Sequence, residues 1–277
     1  MSTIALVAPA KLTVSLRVLV RRDDGYHELE SEMVSVDLCD LLFVDPDGEG
    51  LEVVGAPGTR IESVPKGPDN IVARALAVSG RRGAVRVEKH IPVGGGLGGG
   101  SADAAAILRW AGVDDPSVAA RLGADVPFCV RGGRASVGGI GERVTPLPYE
   151  PRAFVLLVPP FAVDTAAVYE QWDRLTARAA GPGSGAEHAG RHRHFDPLGL
   201  NELMDAAIAV EPRLAPWGEL LGEAAGVPPV LAGSGSTWWV PGTAEGLGLA
   251  GRDVLTLGRD DGRLIPVHTV PAGWSGP

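Results

Sequence analysis

The chain has 277 residues, 45% of them hydrophobic and 21% charged, too apolar for disorder and too evenly mixed for a membrane protein. With 25 basic and 34 acidic residues the net charge is −9, which argues against a nucleic-acid partner but leaves room for a small anion in a local positive pocket. The length suits one large domain or two modest ones.

Glycine fills 39 positions, and only Lys11, Lys66 and Lys89 among the basic residues are lysines. Base composition that favours arginine codons accounts for the second skew in general, yet a lysine inside a motif gains weight from it. Cys39 and Cys129, the only two thiols, suggest a reducing compartment rather than a disulfide framework. The N-terminus lacks the charged and apolar regions of a secretion signal, and no uninterrupted apolar stretch reaches ~18 residues. The expectation is a soluble cytoplasmic protein with no membrane partner.

In chain order, Thr3–Val7 and Leu12–Val20 read as strands, followed by a polar turn at Arg21–Gly25. Met33–Val44 and Leu51–Val54 are further strands. Asn70–Ser79 has helical spacing, with Asp69 as expected N-cap and Gly80 as stop. Ala84–His90 returns to strand, a glycine-rich loop follows, and Ala102–Trp110 reads as a helix stopped by Gly112. The Pro146–Pro151 segment looks like a connection, dividing the chain into 1–150 and 151–277. Beyond it come a strand at Ala153–Val158, a helix from Thr165 to about Ala179, and a Gly/Arg/His-rich loop over Thr176–Gly199. Helical spacing resumes at Asn201–Val210, and Pro229–Val240 reads as strand, glycine turn, strand. The fold class is α+β in two lobes.

The strongest local feature is the glycine loop. Six glycines, Gly94, Gly95, Gly96, Gly98, Gly99 and Gly100, interrupted only by Leu97, lie between Pro92 and Ser101. Such a loop lets backbone N–H groups converge on an anion, and the helix start adds unpaired donors and a positive dipole end. A P-loop would need lysine before Ser101 and has Gly100 instead. A dinucleotide fingerprint fits Gly94-x-Gly96-x-x-Gly99 formally. Its acidic partner fails, because Asp114 and Asp115 sit in the turn after the helix rather than at a strand end.

The run from Pro92 to Ser101 resembles the ATP-binding motif of the GHMP kinases. Ala8-Pro-Ala-Lys11, Asp24-Gly-Tyr-His-Glu-Leu29, Gly123-Ala-Asp-Val-Pro-Phe128 and Gly138-Gly-Ile-Gly-Glu142 are similar to blocks of the 4-diphosphocytidyl-2-C-methyl-D-erythritol kinase branch. Leu231-Ala-Gly-Ser-Gly-Ser-Thr237 resembles the third GHMP motif. The blocks stand in family order from residue 8 to about 237, so the likeness covers most of the chain. It implies a ribosomal-protein-S5-domain-2-like N-terminal lobe and a ferredoxin-like C-terminal lobe. The implied reaction is ATP-dependent phosphorylation of the 2-hydroxyl of a cytidine-diphosphate-linked methylerythritol, on the non-mevalonate route to isoprenoid precursors.

The resemblance also distributes roles. Asp125 becomes the base and Lys11 its cationic partner, a pairing that suits stabilisation of developing alkoxide charge. On residue type alone, Asp125 could equally cap a turn and Lys11 be solvated at a strand edge. Tyr26 and His27 would hold the cytosine by stacking and hydrogen bonding, where a turn aromatic and a surface histidine are the plainer alternative. Pro92, Gly94–Ser101 and Asp103 would serve ATP, together with Asn70 near the adenine and Lys89 beside the loop. Asp103 could instead be a helix cap, and Lys89 could solvate a strand end. Gly233, Ser234 and Gly235 form the third-motif loop. Mg²⁺ follows from ATP chemistry, with no ligands assigned and no metal site expected from His188, His192 and His194, which lie in the Gly/Arg-rich loop.

The sequence departs from the family pattern in places. Thr13 stands where an asparagine is usual and is still expected to hydrogen-bond to the substrate, with a shorter reach; Asn201-Glu202 stands where Asn-Asp is usual, and Trp238-Trp239 is unusually bulky. Phe195 is the candidate for a second aromatic on the base, and Cys39 and Cys129 read as small buried residues. Rival readings are another GHMP kinase of homoserine or mevalonate type, against which Asp24-Gly-Tyr-His27 speaks, and a noncatalytic nucleotide-binding homologue. A monomer or weak homodimer is the expected state.

Overall fold

The computed structural model describes residues 3–180 and 199–276. Two long antiparallel strands, β1 (Ile4–Arg21) and β2 (His27–Asp45), open the chain. They are followed by β3 (Gly50–Gly55), α1 (Ile71–Ser79), β4 (Ala84–Lys89), α2 (Gly99–Ala111), α3 (Pro116–Leu122) and α4 (Val126–Arg131). Strands β5 (Arg134–Gly139) and β6 (Arg143–Pro146) complete the first sheet, in the order β3-β4-β2-β5-β6 with β1 along β2.

The second half comprises β7 (Ala153–Val158), α5 (Thr165–Ala180), α6 (Met204–Val210), α7 (Leu214–Ala225), β8 (Val230–Leu231), β9 (Trp238–Pro241), β10 (Val254–Leu257) and β11 (Asp260–His268). Its strands form an antiparallel sheet in the order β10-β11-β7-β9-β8.

Strand alternation splits the core between two faces. On β7, Phe154 and Leu156 join the core of the first sheet, while Val155 and Leu157 face α6 and α7. On β9, Trp239 points to the first core and Trp238 to the second. The bulky Trp238-Trp239 pair is thereby explained: Trp239 meets the Phe154 ring edge-on at 5.2 Å, and the Trp238 indole N–H donates to Leu214 O at 3.2 Å. Each such fully buried apolar side chain stabilises the fold by about 1.5–3 kcal/mol.

Helix α2 is buried along Ala102–Leu108. Its alanines let it lie close against β1, α1 and α4, as a helix apolar on nearly every face must.

Several expectations change. Thr3–Val7 and Leu12–Val20 belong to one strand, because the intervening Ala8-Pro-Ala-Lys11 also pairs with β2, with register shifts between Pro9 and Lys11 and between Thr13 and Ser15. The cap of α1 is Asn70, whose side chain accepts from Val72 N–H at 2.8 Å, while Asp69 ends a preceding 3-10 turn. Helix α2 starts at Gly99, inside the glycine run. Helix α5 continues to Ala180, through the beginning of the expected loop. The rest of that loop up to residue 198, with His188, His192, His194 and Phe195, lies outside the described residues. Helix α6 begins only at Met204, because Asn201 stands in the turn before it and accepts from Leu203 N–H. Cys129 is buried as expected, and burial pushes its thiol up to about 12, whereas Cys39 is half-buried.

Candidate active site

Lys11 and Thr13 are two residues apart on β1 and so share a face, while Ala10, Leu12 and Val14 on the other face are core. The register shifts on either side of Lys11–Thr13 mark the kind of irregularity that re-aims side chains beside a site. Lys11 Nζ donates to Thr13 Oγ1 at 3.2 Å and lies 3.2 Å from Asp125 Oδ2. Asp125 occupies the N-cap position of α4 but makes no side-chain capping bond. Its carboxylate is turned to Lys11 instead and remains 30% exposed.

Two cavities meet here. The first, about 710 Å³, is lined by Lys11, Thr13, Tyr26, His27, Asp125 and Tyr169, with Gly233 and Ser234 of the third-motif loop at its edge. The second, about 380 Å³, runs along Pro92–Ser101 and includes Asn70, Lys89 and Asp103. Gly96, Gly98 and Ser101 line both. The glycine loop is therefore a shared wall, with the Lys11–Asp125 pair on one side of it.

Glycine is required in that wall. Gly98 has φ +69°, and a Cβ on it would stand 2.7 Å from Lys11 Cγ. Gly96 has φ +77°, and its Cβ would meet Ala232 O at 2.6 Å and Gly235 O at 2.7 Å. Part of the loop's glycine content thus serves close approach to the lysine and to the third-motif loop, rather than to a ligand. The first helical bond of α2 is Ala102 N–H to Gly98 O at 2.8 Å, which leaves the amides of Gly99, Gly100 and Ser101 without helix partners.

Behind the loop lies a buried ionic cluster. Lys89 donates to Asp40 and, at 2.6 Å, to Asp103 Oδ2. Asp40 also accepts from His90 N–H and Ile91 N–H at 2.6 and 2.8 Å, so it fixes the entry to the loop. Burial, and secondarily the Asp40 charge, push the Asp103 carboxyl up to about 8 against the pull of Lys89. Asp103 is accordingly no helix cap, and Lys89 does not solvate a strand end. Asn70 is likewise committed locally, accepting at α1 and donating to Pro65 O at 2.8 Å. Asp40 escaped the sequence reading; the one signal was an acidic residue inside a long apolar strand.

The first cavity's far wall comes from two sources. The turn joining β1 to β2 holds Tyr26 at the rim, 60% exposed, with its N–H on Asp24 Oδ1. His27 sits deeper, at 8% exposure, stacked on Tyr169 at 5.1 Å and meeting Trp172 edge-on at 5.5 Å. Its Nε2 lies 2.7 Å from Asp173 Oδ1. Tyr169 and Asp173 are four apart on α5 and so share a helix face. Neither was legible beforehand, since their contact with His27 crosses about 146 residues of sequence.

The third-motif loop is held by Asn201, whose amide donates to Leu231 O and Gly233 O at 2.8 and 2.7 Å. Ser234 Oγ lies 2.8 Å from Thr165 Oγ1 at the start of α5. No three His, Cys, Asp or Glu residues gather as a metal cage among the described residues, and no described helix is long and apolar enough to cross a membrane.

The family profile "GHMP kinases N terminal domain" matches residues 70–133. A 4-diphosphocytidyl-2-C-methyl-D-erythritol kinase of Dinoroseobacter shibae is 45% identical over 173 residues, 60% of this chain and 59% of that protein. The kinase of the same name from Pelotomaculum thermopropionicum is 37% identical over 295 residues, covering 96% of this chain and 98% of its own. A crystal structure of 4-(cytidine 5'-diphospho)-2C-methyl-D-erythritol kinase superposes with TM-score 0.66 at 30% identity, over 96% of this chain and 100% of that one. Mevalonate kinase of Methanococcus jannaschii, at 11% identity and TM-score 0.54, shares the fold over 97% of this chain and 99% of its own.

Proposed function

The chain belongs to the 4-diphosphocytidyl-2-C-methyl-D-erythritol kinases, a branch of the GHMP kinases, and on that premise we propose that it transfers the γ-phosphoryl group of ATP to the 2-hydroxyl of 4-diphosphocytidyl-2-C-methyl-D-erythritol. The observation that carries this reading is the Lys11–Asp125 pair at the junction of two cavities that share Gly96, Gly98 and Ser101. A phosphoryl transfer needs donor and acceptor brought in line beside one anion-binding loop, with an acceptor-side base within reach.

In this reading the smaller cavity takes the nucleotide. The free amides of Gly99, Gly100 and Ser101 hold phosphate oxygens, and Asn70 shapes the wall beside the base through its local hydrogen bonds. Lys89 and Asp103 act from beneath the loop: their hydrogen bond ties the end of β4 to the first turns of α2. The larger cavity takes the acceptor. Tyr26 and Tyr169 offer aromatic faces to a pyrimidine and His27 a polar edge, while Thr13, Gly233 and Ser234 lie toward the reacting end.

Asp125 accepts the hydroxyl proton, and its freedom from capping leaves Oδ1 for this work while Oδ2 faces Lys11. Lys11 orients Asp125 and stabilises the alkoxide charge as it develops. Thr13, accepting from Lys11, fixes where the ammonium stands. Because the third-motif loop packs against Gly96, the same contact that closes the wall also brings Gly233 near Lys11.

The fit to Mg²⁺ is through oxygen. The Ser101 hydroxyl and the Asp125 carboxylate line the wall, a sparse donor set that suits a cation carried largely by nucleotide phosphates and water. Of the two, Ser101 would hold it, since Asp125 is turned to Lys11, and when bound it would neutralise phosphate charge. The chain is assigned to the cytoplasm and to small-molecule substrates.

The test is ADP release by purified protein with a panel of alcohols. Turnover is expected with the cytidylyl substrate. Turnover of homoserine or mevalonate, with none of the cytidylyl compound, would overturn the assignment.

A further inference from the structure

The larger cavity contains one polar contact whose consequence reaches beyond stacking and proton transfer. Asp173 Oδ1 is 2.7 Å from His27 Nε2, and Asp173 Oδ2 is 3.4 Å from Arg21 Nη1. A carboxylate can only accept, and a guanidinium can only donate. The proton between His27 and Asp173 therefore resides on Nε2, and a neutral imidazole in that state has its lone pair on Nδ1. No described residue pairs with Nδ1. The stack on Tyr169 and the edge of Trp172 restrain the ring from turning over.

We propose that Asp173 is a positioning residue that locks His27 as the Nε2–H tautomer, so that Nδ1 accepts from the exocyclic amine of an aminopyrimidine and the site selects cytidine over uridine diphosphates. The inference rests on the reading that His27 meets the pyrimidine edge. A uracil ring presents a carbonyl oxygen where cytosine presents an amine, so against a fixed acceptor it sets two lone pairs face to face. An unmatched polar contact in a half-closed cavity costs about tenfold or more in affinity.

Arg21 makes the inference sharp. In Asp173→Asn, the amide oxygen turns to Arg21, which has only donors, and the NH₂ turns to His27. Nε2 must then accept, and the proton moves to Nδ1. The selectivity is expected to fall and shift towards uridine, without any change in the shape of the site.

The experiment measures CDP and UDP as competitive inhibitors of the wild type, Asp173→Asn, Asp173→Ala and His27→Ala. The His27 tautomer is read in parallel from ¹⁵N shifts of histidine-labelled protein. The expected results are an Nε2–H tautomer in the wild type, a preference for CDP of at least about tenfold, and loss of most of it in both Asp173 variants. A wild-type Nδ1–H tautomer would overturn the proposal, as would an undiminished CDP preference in Asp173→Asn. If His27→Ala lowers the preference while the Asp173 variants keep it, only the role of Asp173 fails. If His27→Ala also keeps it, the reading of His27 as the base contact fails. The wild-type tautomer decides the matter even if a variant does not fold.

Discussion

Lys11 Nζ stands 3.2 Å from Asp125 Oδ2, although the two residues come from the first strand and the start of a short helix far along the chain. The pair is asymmetric in exposure: the lysine side chain is 7% exposed and the aspartate 30%. A buried cation beside a more open carboxylate is arranged to steady the anion without closing it off. Asp125→Asn removes the proton acceptor and keeps the shape. Turnover should fall by about 10²–10⁴-fold with ATP affinity retained, measured by steady-state kinetics and calorimetric titration. Near-normal turnover would remove Asp125 from the base role.

Lys11→Arg should also impair turnover, since a wide planar guanidinium cannot occupy the place of a compact ammonium. Space beside Lys11 is limited by Gly98, whose absent Cβ leaves room for the lysine stem. Full activity of Lys11→Arg would mean that charge alone is needed at this position.

The two glycines of the wall should separate in their effects. In Gly96→Ala the new Cβ meets two backbone carbonyls, which cannot move aside cheaply, and φ is positive. A loss of about 1–3 kcal/mol is expected, seen as a lower denaturant midpoint. In Gly98→Ala φ is positive too, but the obstacle is the flexible Lys11 side chain rather than backbone. Turnover should suffer more than stability there. Equal stability losses with equal activity would refute the distinction.

Asp103 gives a pH signature. Its carboxyl lies at about 8 in the folded protein against an ordinary 3.8, chiefly because of burial. Between those values the folded state holds a proton that the unfolded state releases, so this group's contribution to stability falls as pH rises towards 8. Asparagine has no such proton. The melting temperature of Asp103→Asn minus that of the wild type should therefore grow more positive from about pH 5 to about pH 8, then level off. Lys89, also raised, titrates only above its ordinary 10.5 and does not disturb this window. A gap that is flat or shrinks with pH would contradict the assignment.

Asn201→Ala strips amide donors from the carbonyls of Leu231 and Gly233 and an acceptor from Leu203 N–H. A destabilisation of about 1–3 kcal/mol is expected. The KM for the acceptor should rise as well, because the loop that these bonds hold carries Gly233 and Ser234 into the cavity. Thermal melts and acceptor-dependent kinetics test both parts.

The glycine run, the Lys11 and Asp125 blocks and the Tyr26-His27 turn were legible in sequence because each depends on local chemistry: backbone freedom, a strand face, a polar turn. Strand alternation and helix spacing likewise located most elements of the first half. The alternation failed at Ala8–Lys11, where β1 is buried on both faces and polar residues face a site rather than solvent. Helix boundaries shifted where a cap or turn decided them, as at Asn70 and Asn201.

What the chain determined by itself was therefore the set of chemical groups and the stretches that carry them. Their partners were decided only by the tertiary structure. Lys89 had to be folded onto Asp40 and Asp103 before its charge was seen to be spent inside the protein. His27 likewise needed α5 packed across the cavity before Tyr169 and Asp173 could act on it. The reason is physical: periodicity reports which face of an element is buried, but an ion pair or a ring stack depends on distances of a few ångströms between elements remote in sequence. Part of the chain's glycine excess resolves in the same way, since Gly96 and Gly98 are small for the sake of two carbonyls and a lysine that only the fold brings beside them.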